Sequence, residues 1–141
     1  MTGKTFAFAT IASAVVSFLL GYLIYGMAMV NFFESNTTPE GLAVMMAEPN
    51  LLGIFLGSLV YGALFTLVLG SWAKVSSVAE GVKAGTIVGL LIALSFNLFF
   101  YSSTNTSTLT AHLVDSALGG VMGGVMGAVI AAVVGKTSAS A

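Results

Sequence analysis

Residues 118–135, LGGVMGGVMGAVIAAVVG, decide the fold of this chain. Gly119, Gly123 and Gly127 recur every four residues, and a second row of small residues runs beside them. In water each glycine would cost a helix about 1 kcal/mol relative to alanine. In lipid the backbone must bond within the segment, so the segment is helical despite its glycines. The spacing therefore predicts a membrane helix whose bare face another helix approaches closely.

The composition of the whole chain indicates an all-α integral membrane protein. Of its 141 residues, 57% are hydrophobic and only 6% are charged, whereas a soluble domain carries about 25% charged residues. The net charge of −1 offers no basic face, so we expect the lipid bilayer and no nucleic acid as a partner. The absence of cysteine excludes disulfides and thiolate metal sites.

Four apolar segments are long enough to cross a bilayer, at about residues 6–33, 51–72, 82–101 and 109–134. A hydrocarbon core of ~30 Å requires about 20 helical residues. We therefore predict a four-helix bundle that forms a single membrane domain over residues 1–141. Between the first two spans, Thr38 and Pro39 predict the start of a short interfacial helix.

The lysines predict how the chain is oriented. All four fall at one face of a four-span arrangement, and three glutamates fall at the other: Lys4, Lys74, Lys83 and Lys136 against Glu34, Glu40 and Glu48. Because cytoplasmic loops are enriched in lysine and arginine, both termini should be cytoplasmic, N-in/C-in. The expected location is the inner (cytoplasmic) membrane, as a multi-pass protein.

Small residues spaced by four predict glycine-mediated helix packing in each span. The glycines expected to pack are Gly53, Gly57, Gly85, Gly89, Gly119, Gly123 and Gly127. The segment from Leu52 to Gly57 also matches the segment from Leu118 to Gly123, which suggests a parallel repeat of one helical hairpin. Because the second and fourth spans carry more than one small-residue row, a homo-oligomer or a larger membrane complex is an alternative to packing within one chain.

Polar residues inside membrane spans are costly and so are candidates for function. Here they gather in the outer half, which predicts an outward-facing polar vestibule lined by Tyr25, Asn31, Asn97, His112 and Asp115. Glu34, Glu40 and Glu48 would lie at its entrance and attract cations. His112 and Asp115 share a helix face, so a proton relay is one hypothesis. The alternatives are an interhelical hydrogen bond for Asn97 and a helix-dipole contact for Asp115.

Catalysis finds little support in the sequence. No serine has an evident base, no second histidine is available for a metal site, and no nucleotide-binding loop is present. We therefore expect no enzyme, no cofactor and no metal. An enzyme using His112 and Asp115 is a weaker alternative, as is Cu(I) bound by His112 and methionine thioethers.

Three motifs carry a family resemblance: Gly21-x3-Tyr25-Gly26, then Ala79-Glu80-Gly81, and the glycine-rich last span. Together they resemble an uncharacterised family of bacterial four-helix inner-membrane proteins, a domain of unknown function. The resemblance implies a fold and a membrane and implies no activity. From the polar vestibule we predict a transport, channel or ligand-binding role. The alternative is a non-catalytic accessory or structural subunit of a larger membrane complex.

Overall fold

The computed structural model of this protein describes residues 1–139, with side chains described to residue 136. It is 84% helical and has no strands within the described residues. The helices are α1 (Gly3–Leu23), α2 (Val30–Ser35), α3 (Pro39–Val44), α4 (Leu51–Phe65), α5 (Val78–Ser103) and α6 (Leu109–Ala139). Four segments are long and apolar enough to cross a membrane, at Gly3–Ala28, Leu51–Trp72, Val78–Ser103 and Leu109–Lys136.

Side-chain caps explain where most of these helices begin. A side-chain oxygen at each start accepts a backbone N–H from three residues along the chain, which satisfies one of the free donors of the first turn. The capping residues are Thr2, Thr38, Asn50, Ser77 and Thr108. The cap at Ser77 starts α5 four residues before the beginning expected from hydropathy, at Val78 rather than residue 82.

Helices α5 and α6 pack antiparallel, backbone against backbone. A Cβ atom added to Gly81, Gly85 or Gly89 would fall on the carbonyl oxygen of a glycine in α6. The α6 partners of these three residues, in order, are Gly127, Gly123 and Gly119. Such close approach leaves no room for side chains and gains van der Waals contact along the whole pair.

Helix α4 packs on α1 through one of its two small-residue rows. Gly53 and Gly57, which were expected to pack, are exposed, and a Cβ on Gly57 would meet nothing within 4 Å, so this pair does not pack against another helix of the described chain. Instead, Ser58 and Gly62 are buried. A Cβ on Gly62 would lie 2.8 Å from the Thr10 carbonyl oxygen of α1. Because α4 carries small residues on two faces, spacing alone does not identify the face that meets α1.

The two copies of the proposed hairpin repeat do not pack against other helices in the same way. Gly119 and Gly123 contact α5, whereas the matching Gly53 and Gly57 contact no other helix within the described part of the chain. The two hairpins therefore use equivalent sequence motifs in different ways.

The helix expected over residues 6–33 is not continuous. Helix α1 ends at Leu23 and continues as a π-helical turn, Ile24–Ala28, which the Met29 N–H closes by donating to the Ile24 carbonyl at 2.7 Å. Met29 then leaves helical geometry, with φ −114° and ψ 8°, before α2 begins. A similar π-helical segment, Thr66–Trp72, follows α4. Wide turns of this kind often mark functional positions in helices.

The apolar core lies toward the lysine-bearing ends of the helices. Phe65, Leu69, Met126 and Ile130 are at most 1% exposed and form its centre. By contrast, large apolar side chains such as Phe8, Val60 and Phe99 are 67–73% exposed on the outer surface. An apolar exterior of this extent suits lipid rather than water.

Candidate functional site

Antiparallel packing of α5 on α6 brings the polar residues of the two helices together. Gly89 of α5 contacts Gly119 of α6. Asn97 lies about two helical turns after Gly89, and His112 lies about two turns before Gly119, so the two polar residues come to the same level of the antiparallel pair. Asn97 and His112 are each 7% exposed. The close approach that the glycines permit therefore sets how near the two polar side chains lie.

Asn97 links both polar residues of α6. Its Nδ2 donates to Asp115 Oδ2 at 2.6 Å and to the Ala93 carbonyl at 3.0 Å. Its Oδ1 lies 2.7 Å from His112 Nδ1. Because both neighbours of the amide nitrogen are acceptors, Oδ1 is the acceptor that faces the imidazole, and His112 carries its proton on Nδ1.

Tyr25 completes the network from the π-helical turn after α1. Its hydroxyl donates to Asp115 Oδ1 at 2.5 Å. Both oxygens of the Asp115 side chain thus accept a hydrogen bond, one from Tyr25 and one from Asn97. The carboxyl group therefore links the turn after α1 to α5 and α6.

His112 has one unsatisfied atom. Its Nε2 is buried and has no hydrogen-bond partner. The imidazole lies near two aromatic side chains, with ring centroids 5.7 Å from Tyr101 and 6.3 Å from Phe100. The backbone carbonyl of His112 also accepts a hydrogen bond, from Ser116 Oγ at 2.7 Å. The ring is therefore held by its contact with Asn97 and by packing near Tyr101 and Phe100.

A cavity of about 430 Å³ opens beside this network. Its walls combine the polar side chains with aromatic rings, aliphatic residues and loop residues. The lining includes Tyr25, Asn97, His112 and Asp115, together with Phe33, Phe100, Val44, Met45, Ala111, Thr37, Gly41, Thr106 and Ser107. Pockets of this volume, mostly apolar with a few converging polar groups, are typical of small-molecule sites.

Two polar loops join over the cavity and form what we call the loop clasp, residues 36–38 with residues 104–108. Thr38 N donates to the Thr106 carbonyl at 3.0 Å, and Thr108 N donates to the Asn36 carbonyl at 2.9 Å. The Thr38 hydroxyl also donates to the Asn105 carbonyl at 2.5 Å. Gly41 packs so closely on Thr106 that a Cβ would overlap its carbonyl oxygen. The clasp thereby holds α3 against the start of α6.

The structure gathers four of the five residues predicted for the vestibule: Tyr25, Asn97, His112 and Asp115. It does not bring Asn31 to the cavity, because Asn31 is exposed on α2. The chain breaks at Met29, so helical spacing counted from Tyr25 does not place residue 31.

The predicted entrance residues lie apart from the cavity. Glu34, Glu40 and Glu48 are all exposed, and none of them lines the cavity. The relay hypothesis also changes in detail, because Asn97 stands between the imidazole and the carboxylate and bonds to both.

Sequence reasoning missed the aromatic walls and the loop clasp. Phe33 and Phe100 looked like ordinary apolar residues of the outer interface. The only sequence signal for the clasp is the likeness of two uncharged loops, NTT at residues 36–38 and TNTST at residues 104–108.

The described residues hold no group of three or more His, Cys, Asp or Glu side chains that could bind a metal ion. Another cavity, about 550 Å³, lies at the opposite end, where Met1, Lys74 and Val134 are among the residues that line it.

Comparison with family models, curated proteins and solved structures finds no match to this chain. The family resemblance thus stays a prediction, and function is argued from the site.

Proposed function

We propose that this chain is a multi-pass inner-membrane protein that binds a small solute in the cavity beside Asp115, in a transport or ligand-capture role. The observation that carries the proposal is the convergence of a carboxylate, an amide, an imidazole and a phenol on one cavity of about 430 Å³. These groups come from three segments of the chain, the turn after α1, α5 and α6, so packing of any single pair of helices does not account for their convergence.

The charge distribution supports an outward-facing cavity. The four lysines lie at or beyond the ends of the long helices that are remote from Asp115. The positive-inside bias then puts both termini in the cytoplasm and the loop clasp outside. In this orientation the solute enters from the outer side, next to the clasp.

The core supports a binding pocket rather than an open pore. Between the network and the lysine-bearing ends, α5 and α6 meet through backbone contacts at Gly81 and Gly127. Phe65 and Met126, both fully buried, fill the bundle at that level. A solute bound near Asp115 therefore meets a closed inner half, and passage would require the helices to rearrange.

Cysteine accessibility tests this proposal cleanly, because the chain contains no cysteine. Ala111 lines the cavity, so an Ala111→Cys variant should react with a small membrane-impermeant thiol reagent in intact cells. Thr104→Cys in the outer loop is the positive control. Ser76→Cys, on the other side, should react only after permeabilisation. Ile87→Cys, on the exposed apolar face of α5, should stay unreactive because lipid covers it.

Two results would contradict the proposal. If Ala111→Cys is as unreactive as Ile87→Cys, the cavity holds no water and binds no solute from outside. If Ser76→Cys reacts in intact cells and Thr104→Cys does not, the orientation is reversed.

A role as a subunit of a homo-oligomer or larger complex is the second candidate, and one observation favours it. Gly53 and Gly57 form a small-residue pair on the exposed face of α4, without a partner in the described chain. The mass of the protein in mild detergent, with and without Gly57→Leu, tests this role. Gly21→Leu is the matched control, since Gly21 also has open space beside it. Loss of an oligomer in Gly57→Leu alone would support the subunit role.

A further inference from the structure

The carboxylate of Asp115 has no basic residue near it to balance its charge. The chain has no arginine, and its four lysines lie toward the other end of the long helices. Lys136, on the same helix, is 21 residues away, which is roughly 31 Å at 1.5 Å per residue. His112 reaches Asp115 only through the neutral amide of Asn97. The donors that do contact Asp115, the Tyr25 hydroxyl and the Asn97 amide, are both uncharged.

An unbalanced carboxylate in an apolar region is costly and favours a cation beside it. Each carboxylate oxygen has two acceptor sites, and each oxygen of Asp115 has one protein donor. Asp115 is only partly buried and lines the cavity. The carboxylate therefore has both the charge and the free acceptor capacity to bind a cation that enters there.

The rest of the lining indicates an organic cation. Aromatic side chains of Tyr25, Phe33 and Phe100 line the same cavity, and the first two rings lie next to each other, with centroids 5.2 Å apart and planes inclined at 43°. Ring faces attract ammonium groups, and aromatic cages with a nearby carboxylate recognise alkylated ammonium ions. Ca²⁺ would require six to eight oxygen ligands, whereas this cavity offers a single carboxylate and apolar walls such as Val44 and Ala111.

We propose that the cavity binds a small organic ammonium cation, with Asp115 supplying the charge and the rings of Tyr25, Phe33 and Phe100 surrounding the alkyl groups. This inference rests on the proposed function, because it names the class of solute that the cavity takes. A free alkylammonium solute and the headgroup of an aminophospholipid share this chemistry, and the experiment below separates them.

Choline and 3,3-dimethylbutan-1-ol form the decisive probe pair, because they have nearly the same shape and only choline is charged. The protein is purified in a non-ionic detergent, and binding is measured by calorimetry and by protection of Ala111→Cys from the thiol reagent. We expect choline to bind at least roughly tenfold more tightly than the alcohol, a ratio set by the charge and the cation–π contacts.

Variants separate charge from shape. Asp115→Asn keeps the size of the side chain and removes its charge, so it should abolish the preference for choline over the alcohol. Glu80→Gln removes an equal charge in the first turn of α5, far from the cavity, where the side chain is exposed. It should leave the preference for choline unchanged. An unaltered elution volume and melting temperature for Asp115→Asn show that the variant is folded. Phe100→Leu, which removes one ring, tests the aromatic wall if Asp115→Asn does not fold.

Each outcome tests either the ammonium inference or the proposed function on which it rests. Equal binding of choline and the alcohol overturns the ammonium inference and leaves solute binding intact. A reactive Ala111→Cys that neither probe protects, in protein free of bound lipid, also overturns the inference alone. An unreactive Ala111→Cys overturns the proposed function itself. If native mass spectrometry finds an aminophospholipid that Asp115→Asn loses, the ammonium group is a lipid headgroup and the inference holds.

Discussion

Asn97 is the residue on which the site depends, because its side chain offers donors at one end and an acceptor at the other. The donor end serves Asp115 and the acceptor end serves the protonated Nδ1 of His112. A carboxylate at this position would place a second negative charge beside Asp115, and an aliphatic side chain would leave both partners unpaired. An amide is therefore well matched to a position between an anion and an N–H donor.

We expect Asn97→Leu to destabilise the protein by about 1–3 kcal/mol, the cost of leaving buried polar groups unpaired. Reversible unfolding in mixed micelles measures the change. Ser95→Leu, two residues away on the exposed face of the same helix, is the matched control and should have little effect. Stability of Asn97→Leu equal to that of the parent protein would show that the network contributes nothing to the fold.

Tyr25 provides both a hydroxyl and a ring, and two substitutions separate them. Tyr25→Phe removes the 2.5 Å hydrogen bond to Asp115 and keeps the ring in the cavity wall. We expect Tyr25→Phe to retain choline binding within roughly threefold, and Tyr25→Leu to weaken it by roughly tenfold, because cation–π contacts supply about 1 kcal/mol or more. Calorimetry compares them.

The control is Tyr22→Leu, because Tyr22 is 59% exposed and lies outside the cavity. Equal losses in Tyr25→Phe and Tyr25→Leu would assign the effect to the hydroxyl instead of the ring.

At the scale of helices, the α5–α6 pair depends on glycine positions that admit no side chain. Gly85→Ala would drive a methyl group onto the Gly123 carbonyl. We expect this change to destabilise the protein by about 1–3 kcal/mol, as overpacking of a tight interface does. Gly57→Ala adds the same methyl group in open space and should leave the melting temperature of the monomer unchanged.

Thermal unfolding in one detergent compares the two variants directly. Similar melting temperatures for Gly85→Ala and Gly57→Ala would mean that α5 and α6 lie farther apart than the structure shows.

The loop clasp is the second element-scale feature, and it can be loosened without touching the network. Gly41→Val would push α3 away from the Thr106 carbonyl, because even a Cβ overlaps that oxygen. We expect the thiol reagent to label Ala111→Cys several times faster in the Gly41→Val background, since the cover over the cavity is displaced. Ala43→Val, on the exposed side of α3, is the control. An unchanged labelling rate in Gly41→Val would show that the clasp does not limit access to the cavity.

At the scale of the whole molecule, the two halves differ in character. One half is closed by glycine contacts between α5 and α6 and by a core centred on Phe65 and Met126. The other half holds the polar network and the cavity of about 430 Å³. This asymmetry is what a site accessible from one side of a membrane requires.

Long apolar runs made the four membrane-length spans predictable, and their number agrees with the structure. Polar residues within those runs pointed to Asn97, His112 and Asp115, because such residues are costly in lipid. The packing face of α4 was not predictable, since Gly53 and Gly57 match Ser58 and Gly62 in spacing. The break at Met29 and the backbone bonds of the loop clasp also leave no trace in hydropathy, which is why Asn31 was misplaced and the clasp was missed.

The loop clasp has a consequence for how the protein is made. Thr38 and its hydrogen-bond partner Asn105 are 67 residues apart in sequence, which at roughly 5–20 residues per second separates their synthesis by roughly 3–13 s. At the start of that interval only the first membrane span has been made, the second and third are made during it, and the loop at Thr38 has no partner until residue 105 appears. The cavity can form only when α6 has begun to insert, because Ala111, His112 and Asp115 of α6 line it, so a ribosome-stalled or truncated chain that lacks the residues beyond 104 has no such cavity. The presence of the cavity therefore marks a chain in which α6 has already been made.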